Sequence, residues 1–267
     1  MKLSMSIYSG LRKVVERFST VLQLHKLEKS TGRKLALSII DTLTLGLYKQ
    51  RLGMETKKAL YELCDLPCSY KTMVVNMNRF MWVAGIILAL VLKLNRDMQH
   101  PIKHVDSTSL EVCKFKNANA HKTMKEFAAF SKNKHGTYFG LKLHLISDFE
   151  RKMLALKFTP ATVDDRAPVM EMSVDIDGLL IGDAGYVSQK LEHEFYEEHR
   201  RIFMSKPRSN MKKLATEMEL KLYDTRALIE LNFRNLKLFY RLVTSLPRSV
   251  TGYFANYIYS ILAYAIS

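Results

Sequence analysis

Three acidic residues in distant parts of the chain are the residues best suited to chemistry. Asp106 lies in KHVDSTSL, Asp183 in GDAGY and Glu230 in ALIELNF. Attack on a phosphodiester develops charge on the attacking and leaving oxygens, and two divalent ions about 3.5–4 Å apart stabilise both. Mg²⁺ is a hard ion that takes carboxylate oxygens and water as ligands, and Mn²⁺ shares this preference. Together, the three carboxylates would be a sufficient protein contribution to a site for two Mg²⁺ or Mn²⁺ ions.

Asp183 directly follows LLIG (179–182), a run that predicts a short buried strand. Ligand sites in open α/β sheets form at the carboxyl ends of strands. A carboxylate next to an apolar strand is costly without a partner, which favours a metal ion or an opposite charge there. Gly182 and Gly185 allow the backbone to turn sharply around it. The alternative, for either aspartate taken alone, is a turn or helix-cap residue.

Glu230 lies in a predicted helix with two stripes at helical spacing. The apolar stripe holds Ile229, Phe233, Leu236 and Tyr240. The second stripe sets Glu230 among cations: Arg226, Arg234, Lys237 and Arg241. The alternative interpretation is a solvated helix with i,i+4 salt bridges, each contributing a few tenths of a kcal/mol. Four cations around one acid exceed what such pairs explain, and a row that contacts phosphates explains the crowding better.

The elements that must position these acids follow from the hydrophobic pattern. Strand signals begin at Ile102, continue through a hairpin formed by TYFGLKLHLIS and KMLALKFTP, and return at 179–182 and 201–205. Helices are predicted at 165–176, 187–199 and 224–241. Antiparallel strands followed by alternating helices and strands are typical of a mixed α/β sheet of the ribonuclease H type.

The chain divides near residues 95–102, and we predict two domains, 1–97 and 98–267. The first is helical throughout, with helices near 34–50, 55–64, 70–80 and 82–94, and carries 16 basic and 7 acidic residues, a net charge of +9. A small basic helical domain with short turns is typical of a helix-turn-helix DNA-binding domain. A helical oligomerisation or scaffold domain would have the same pattern.

The charge of the whole chain points to a class of partner. A formal net charge of +15 indicates a polyanion, because each Lys or Arg placed on a phosphate releases condensed counterions. Three cysteines form neither a disulfide framework nor a zinc site, so we expect reduced thiols in a cytoplasmic protein. The most apolar run, Met81 to Leu94, contains Lys93 and falls short of the roughly 20 residues needed to span a bilayer. We interpret it as a buried helix and expect no membrane partner.

Four segments of the chain resemble the DDE transposases of bacterial insertion sequences, most closely the insertion-sequence 982 family. DSTSLEVC is similar to that family's first-aspartate segment, although a proline is commoner where Ser109 stands. YFGLKLHLISD with TPATVDDR is similar to its hairpin and following loop, and GDAGY to its second-aspartate motif. In the last segment Tyr223, Arg226, Glu230 and Lys237 match the broader signature Y-x2-R-x3-E-x6-K.

This resemblance implies a ribonuclease H-like core that binds the element's ends, cleaves DNA with metal ions and transfers a 3′ hydroxyl to target DNA. It assigns Asp106, Asp183 and Glu230 to the metals, and Arg226 and Lys237 to DNA. The implied partner is double-stranded DNA, both terminal inverted repeats and target, with a homo-oligomer assembled on it. The implied location is the bacterial cytoplasm, associated with the nucleoid. The alternatives are a ribonuclease H-like nuclease without strand transfer and a non-catalytic DNA-binding relic.

Further polar residues lie near these motifs. Six cations and no acid occupy the run from Arg200 to Lys213, which predicts either a DNA groove or a solvated loop. We therefore add Arg208 and Lys212, with Arg234 and Tyr223, to the DNA-binding candidates. His104 and His144 are expected to be hydrogen-bonded core histidines, with metal contact as the alternative. Asp165 is expected to cap the helix that follows it.

Overall fold

The computed structural model of the chain describes residues 2–28, 34–133, 135–199, 201–208, 211 and 216–267. The chain forms two compact units. One contains Met1–Leu90 and Leu236–Ser267, and the other contains Val91–Asn235. The chain passes from one unit to the other within two helices and not within loops.

The first unit is helical. Its helices are α1 (Lys2–Leu22), α2 (Ile39–Arg51), α3 (Lys57–Leu63), α4 (Tyr70–Arg79), the first part of α5 (Met81–Asp97), the end of α9 (Ala227–Leu238) and α10 (Val250–Ala265). In four of these helices, the side-chain oxygen of the N-cap residue accepts a hydrogen bond from a backbone N–H of the first turn. These N-cap residues are Ser38, Thr56, Ser69 and Ser249.

The last helix packs into this unit. Helix α10 contacts α2 and α4, and the ring of Tyr259 lies where a side chain at Gly46 would be, 2.4 Å from the position of a Cβ. The buried Gln50 side chain donates to the Oδ1 of Asn256 at 2.9 Å. Our predicted boundary placed residues 236–267 in the catalytic domain, whereas the contacts group them with the N-terminal helices. The apolar surface of α10 is buried there, and sequence position alone does not show which apolar surface it meets.

The apolar segment of α5 is partly buried, with Val83, Ala84, Ile87 and Leu88 inside the helical unit. No single helix in the described part of the chain has the length and hydropathy of a membrane span. Only α4 and α5 taken together, bent by 43° at their junction, reach that length and composition.

The second unit contains a six-stranded sheet. Its strands are β1 (Ile102–Glu111), β2 (Ala129–Asn133), β3 (Gly136–Asp148), β4 (Met153–Pro160), β5 (Leu179–Gly182) and β6 (Ile202–Ser205). Strand β3 pairs antiparallel with β1, β2 and β4, whereas β1–β5 and β5–β6 are parallel pairs. With β2 set aside, the other four pairings give the order β4-β3-β1-β5-β6, which fits the ribonuclease H-like mixed sheet predicted from the sequence. Strand β2 was not predicted, because its short segment AFSKN has little apolar alternation.

Helices cover one face of this sheet and close a core. Buried residues of β1, β3, β4, β5 and β6 pack against α6 (Val169–Met172) and α7 (Gln189–His199). The core residues are Val105, Ile146, Leu154, Ala155, Val169, Met172, Ile176, Leu180, Tyr186, Leu191, Phe195 and Phe203. This core holds β1 and β5 side by side, and the candidate site lies where their parallel pairing ends.

Two helix predictions differ from the structure. The helix predicted at 165–176 is confined to the four residues of α6, which begins after Pro168. The helix predicted at 224–241 is two helices, α8 (Glu217–Asp224) and α9, interrupted at Thr225 and Arg226. Helix α8 begins with a capping box in which Thr216 and Glu219 each accept from the other's backbone N–H.

Candidate active site

The two aspartates lie just beyond the point where the parallel pairing of β1 and β5 ends, Asp106 within β1 and Asp183 directly after β5. The register pairs Ile102 with Leu179 and His104 with Ile181. Continued for two more residues, the same register brings Asp106 level with Asp183. Adjacent parallel strands are about 4.8 Å apart, so side chains that leave such positions on one side can share a ligand.

Asp183 is held in place by its own loop. Its Oδ1 accepts a hydrogen bond from the backbone N–H of Gly185 at 2.8 Å, which begins a short 3₁₀ turn. A Cβ at Gly182 would lie 2.9 Å from Cβ of Tyr186, so the turn requires glycine at this position. The glycines of GDAGY therefore bring the backbone of the loop back onto the strand end and fix the aspartate there.

Arg226 connects the first aspartate with the glutamate. Its Nη1 lies 3.1 Å from Oδ2 of Asp106, and its Nη2 lies 2.5 Å from Oε1 of Glu230, one turn further along the chain. The Asp106 side chain is 17% exposed, whereas Glu230 is 55% exposed, so the glutamate lies at the mouth of the site. The apolar stripe of α9 is buried as predicted, with Ile229 and Leu236 fully inside and Phe233 7% exposed.

Burial raises the pKa of Asp106 to about 7. The backbone N–H of Ser107 and the guanidinium of Arg226 act in the opposite direction, while the negative charges of Asp183 and Glu230 raise this pKa further. Like charges close to a desolvated carboxylate disfavour its ionised form. The three acids therefore act on one another electrostatically, and one arginine is an incomplete counter-charge for them.

The donor chemistry of the site fits a hard divalent cation. Three carboxylates supply only oxygen ligands, which is the set that Mg²⁺ and Mn²⁺ take. Burial is the main cause of the raised pKa of Asp106, and a bound cation would favour the ionised carboxylate there. Within the described ranges, however, no three Asp, Glu, His or Cys side chains are close enough together to hold one ion. The convergence that we predicted is thus partial, because Arg226 stands between Asp106 and Glu230.

Both histidines are hydrogen-bonded core residues. His104 Nε2 lies 2.8 Å from Thr225 Oγ1, and His144 Nε2 lies 2.8 Å from Thr159 Oγ1. Burial lowers the pKa of each to about 4, so both rings are neutral. This agrees with the expectation of core histidines. The bond from His104 also ties β1 to the start of α9, which carries Glu230.

Asp165 does not cap a helix, contrary to our prediction. Its Oδ1 accepts from Ser107 Oγ at 2.8 Å and from Lys142 Nζ at 3.0 Å. Helix α6 begins at Pro168 with no side-chain cap. The aspartate instead fastens the loop after β4 to the residue that follows Asp106. No local pattern predicts this partner, because Ser107 and Asp165 are far apart in the chain.

Tyr186 is a further residue that sequence reasoning missed. It is 1% exposed, and its hydroxyl has no hydrogen-bond partner in the part of the chain that the structure describes. Burial strongly raises its pKa, and the charges of Asp106, Asp165 and Asp183 raise it further. The tyrosine of GDAGY is therefore a buried neighbour of these three aspartates. Its place as the last residue of that motif is the sequence feature from which this position could have been predicted.

The predicted DNA-binding residues have different surroundings. Arg234 is exposed on α9, and Arg208 is exposed with its Nε 3.2 Å from the carbonyl of Ala184, beside Asp183. Lys237 is half-buried near the end of α9. Tyr223 is 4% exposed, so its side chain is a core residue and presents no surface to DNA. Lys212 lies outside the described residues.

Comparison with known proteins gives one family. The family model described as a transposase DDE domain matches residues 96–250 of the 267. This span contains Asp106, Asp183, Glu230 and Arg226. No curated protein matches the chain.

Several solved structures show low similarity. The Mos1 transposase paired-end complex with left transposon end is 12% identical, with 91% of this chain and 82% of that chain covered and a TM-score of 0.27. The Mos1 mariner paired end complex with Mn is 11% identical, with 100% and 96% covered and a TM-score of 0.27. Scores this low do not establish a structural relationship. The family model, in contrast, spans more than half of the sequence, and the chain therefore belongs to the transposase DDE domain family.

Proposed function

We propose that this chain is a DNA transposase that binds the ends of its insertion sequence and catalyses metal-dependent DNA cleavage and strand transfer. The observation that carries the proposal is the contact of Arg226 with both Asp106 and Glu230, with Asp183 level with Asp106 on the next strand. Membership of the transposase DDE domain family supports the same activity.

Each acid has a defined role in this proposal. Asp106, Asp183 and Glu230 would hold two Mg²⁺ or Mn²⁺ ions. When bound, these ions would neutralise the developing charge of the phosphodiester and lower the pKa of an attacking water or 3′ hydroxyl. Asp106 lies within β1, and its Oδ1 accepts a hydrogen bond from the backbone N–H of Ser107 at 2.8 Å.

The cations around the acids would position the DNA strand. Arg226 contacts two of the carboxylates and would orient them, and its guanidinium would also donate to an oxygen of a bound phosphodiester. Arg208 would contact the strand from the Asp183 side, because its guanidinium lies at the carbonyl of Ala184. Arg234 and Lys237 continue the basic row of α9. A site with an acidic floor and basic surroundings would hold both metal ions and phosphates.

Double-stranded DNA, as terminal inverted repeats and as target, is the proposed partner. The net charge of +15 supports this choice, since polyanion binding gains from counterion release. We also propose a homo-oligomer assembled on DNA, because two ends must be joined in one reaction. Within the family, the segments DSTSLEVC, GDAGY and YDTRALIELNFRNLK favour a bacterial protein of the insertion-sequence 982 type. Such a protein would act in the cytoplasm, associated with the nucleoid.

The test uses DNA that carries the inverted repeats flanking the coding sequence. The full-length chain is incubated with labelled repeat ends, a target plasmid and Mg²⁺ or Mn²⁺, and both cleaved and joined products are measured. We expect cleavage and joining by the wild-type chain, loss of both in Asp183→Asn, and retention of both in Asp175→Asn. Asp175 is an exposed aspartate of the same unit and makes a matched control for the loss of one charge.

Each other outcome selects an alternative function. Cleavage without joined product would identify a nuclease that does not transfer strands. Binding without cleavage by the wild-type chain would identify a DNA-binding relic. Activity in Asp183→Asn equal to that of the wild type would remove the metal mechanism altogether.

A further inference from the structure

A second basic site lies in the helical unit, away from the three acids in sequence. We propose that the cavity between α2, α3, α4 and the start of α10 binds a phosphate group of a nucleic acid strand. The proposal rests on the proposed function in one respect only, namely that the chain binds DNA. The cavity has a volume of about 460 Å³. Its lining includes four cations and one acid, and the acid is Glu55. The cations are Lys49, Lys57, Lys58 and Arg248, and the polar lining also includes Asn78 and Ser249.

Lys49 is the residue that most requires a ligand. Its side chain is buried, with the residue 3% exposed, and its ammonium group donates to the neutral Oε1 of Gln50 at 3.3 Å. Among the described residues it forms no ion pair with a carboxylate. A buried charge without a counter-ion is costly, and an ammonium group has three donors of which one is used here. An anion in the cavity would satisfy both the charge and the remaining donors.

Lys57 and Arg248 add two more cations without a carboxylate partner in the described part of the chain. Lys57 Nζ donates to Asn78 Oδ1 at 2.6 Å, which directs the ammonium group along the cavity wall. Arg248 precedes Ser249, the N-cap of α10. Burial lowers the pKa of both Lys49 and Lys57 to about 8, and the charge of Lys57 lowers that of Lys49 further. Lys49 and Lys57 thus repel each other at the cavity, and the charge of Glu55 offsets only part of this effect on Lys49.

The start of α10 faces the same cavity. Helix α10 has 16 residues, and Ser249 and Gly252 of its first turn line the cavity wall. The N-terminus of a helix presents unpaired N–H groups and a partial positive charge, and both favour a phosphate. The independent observation here is the buried Lys49, because a helix end alone is common on any protein surface.

The apolar part of the lining favours a phosphate attached to a sugar over a free inorganic phosphate. Tyr70, Val74, Leu246 and Pro247 add apolar side chains to the same lining. Lys58 is paired with Glu62 at 3.3 Å, and its Nζ is 5.7 Å from the ring centre of Tyr70. A nucleotide unit of a strand presents a phosphate next to an apolar sugar ring and base, which matches a lining of both cations and apolar side chains. A free phosphate would use the cations alone.

The first arm of the test uses inorganic phosphate. Thermal unfolding of the full chain is followed in phosphate and in chloride at equal ionic strength and pH. We expect phosphate to raise the Tm of the wild type, because a ligand that binds only the folded state stabilises it. The double variant Lys57→Gln/Arg248→Gln should lose this increase. The matched control Lys13→Gln/Lys71→Gln, which removes two exposed lysines of the same unit, should keep it.

The second arm uses a labelled duplex of about 40 base pairs in fluorescence anisotropy over a range of salt concentrations. Each phosphate contact that is lost reduces the slope of log K against log[salt] by about 1. We expect the double variant to show that smaller slope and about tenfold weaker binding at 0.1 M salt, as loss of a charge-assisted contact predicts. Lys49→Met, which keeps the side-chain volume, provides a second variant if the first fails to fold.

The outcomes separate the two proposals. A phosphate-specific Tm increase together with an altered DNA slope supports the site. An increase without any change in DNA binding identifies a pocket for a free phosphate or nucleotide and overturns the strand as its source. Equal Tm in phosphate and chloride, with equal salt slopes for variant and control, overturns the cavity as an anion site while DNA binding stands. If the wild type binds no duplex at all, the proposed function fails and the phosphate arm still reports on the cavity.

Discussion

The guanidinium of Arg226 lies 3.1 Å from Oδ2 of Asp106 and donates to Glu230 one helical turn later. The two residues Arg226 and Asp106 come from the interruption between α8 and α9 and from β1, 120 residues apart. Together with the bond between His104 and Thr225, this contact joins β1 to the start of α9. It also places a permanent positive charge beside Asp106, whose burial raises its pKa.

We predict that substitution of Arg226 affects catalysis more than folding. Arg226→Gln should reduce cleavage at least tenfold, because Asp106 and Glu230 lose their shared donor. Arg226→Lys retains the charge but cannot donate to both carboxylates in the same planar fork, so it should restore only part of the activity. The test measures the cleavage rates of the wild type and the two variants. Urea unfolding of each protein is the folding control. Full activity in Arg226→Gln would show that the contact has no functional role.

Catalysis and binding should be separable. Asp183→Asn changes one carboxylate of the proposed metal site, whereas the basic surfaces that contact DNA stay intact. We therefore expect gel-shift binding of repeat-end DNA within about threefold of the wild type, a difference of less than 1 kcal/mol. Loss of binding in a variant that still unfolds cooperatively would contradict the assignment of metal and DNA functions to different residues.

Asp165 should contribute to stability through Ser107 and Lys142. Asp165→Asn removes the charged acceptor of two hydrogen bonds, and contacts of this kind contribute about 1.5–3 kcal/mol each when buried. Since the carboxylate is 36% exposed, we expect a smaller loss, about 1 kcal/mol in urea unfolding. A double-mutant cycle with Ser107→Ala measures the pair directly, and strictly additive effects would show that the 2.8 Å contact is energetically neutral.

DNA binding should weaken steeply with salt. The net charge of +15 predicts an interface dominated by phosphate contacts, for which log K falls linearly with log[salt]. Anisotropy titrations between 50 and 200 mM salt, roughly the range over which such interfaces lose most of their affinity, give the slope. An affinity that does not change over this range would rule out a phosphate-dominated interface.

The buried lysine of the cavity should make stability depend on pH. The folded-state pKa of Lys49 is lowered to about 8 by burial, and by Lys57 and Arg241, while Glu55 acts in the opposite direction. Between that value and the ordinary 10.5, the unfolded chain binds more protons, so this group's contribution to stability rises with pH. Relative to that of Lys49→Met, the free energy of unfolding of the wild type should increase by about 1 kcal/mol per pH unit above pH 8.

The measurement is urea unfolding of both proteins in phosphate-free buffers from pH 7 to 10. Phosphate is left out because bound anion would hold Lys49 in its charged form. The free energy of unfolding of the wild type minus that of Lys49→Met should rise as the pH rises. A difference that stays constant across this range would show that Lys49 does not titrate there.

Much of the secondary structure was accessible from local pattern. Alternating apolar residues in TYFGLKLHLIS and KMLALKFTP predicted the hairpin of β3 and β4, and the run LLIG predicted β5. These patterns are local because a strand or helix must present one face to a core wherever that core lies. Predicted helices failed where local geometry overrode the pattern. Pro168 restricted α6, and the interruption before Ala227 divided α8 from α9.

The sequence alone also determined which residue types were available for chemistry. Asp106, Asp183 and Glu230 were selected by motif and spacing, and the family model spans all three. Their residue types follow from the ligand preference of hard cations, which does not depend on fold. The basic composition likewise predicted a polyanionic partner before any contact was known.

Only the tertiary structure decided which of these residues meet. Arg226 joins Asp106, Asp165 accepts from Ser107 instead of capping a helix, and Tyr223 turns into the core. It also grouped α10 with the N-terminal helices and left Lys49 buried beside an open cavity. Each outcome depends on contacts between segments that are far apart in the chain. Local propensity carries no information about such contacts, because their free energy comes from packing and charge in the assembled fold.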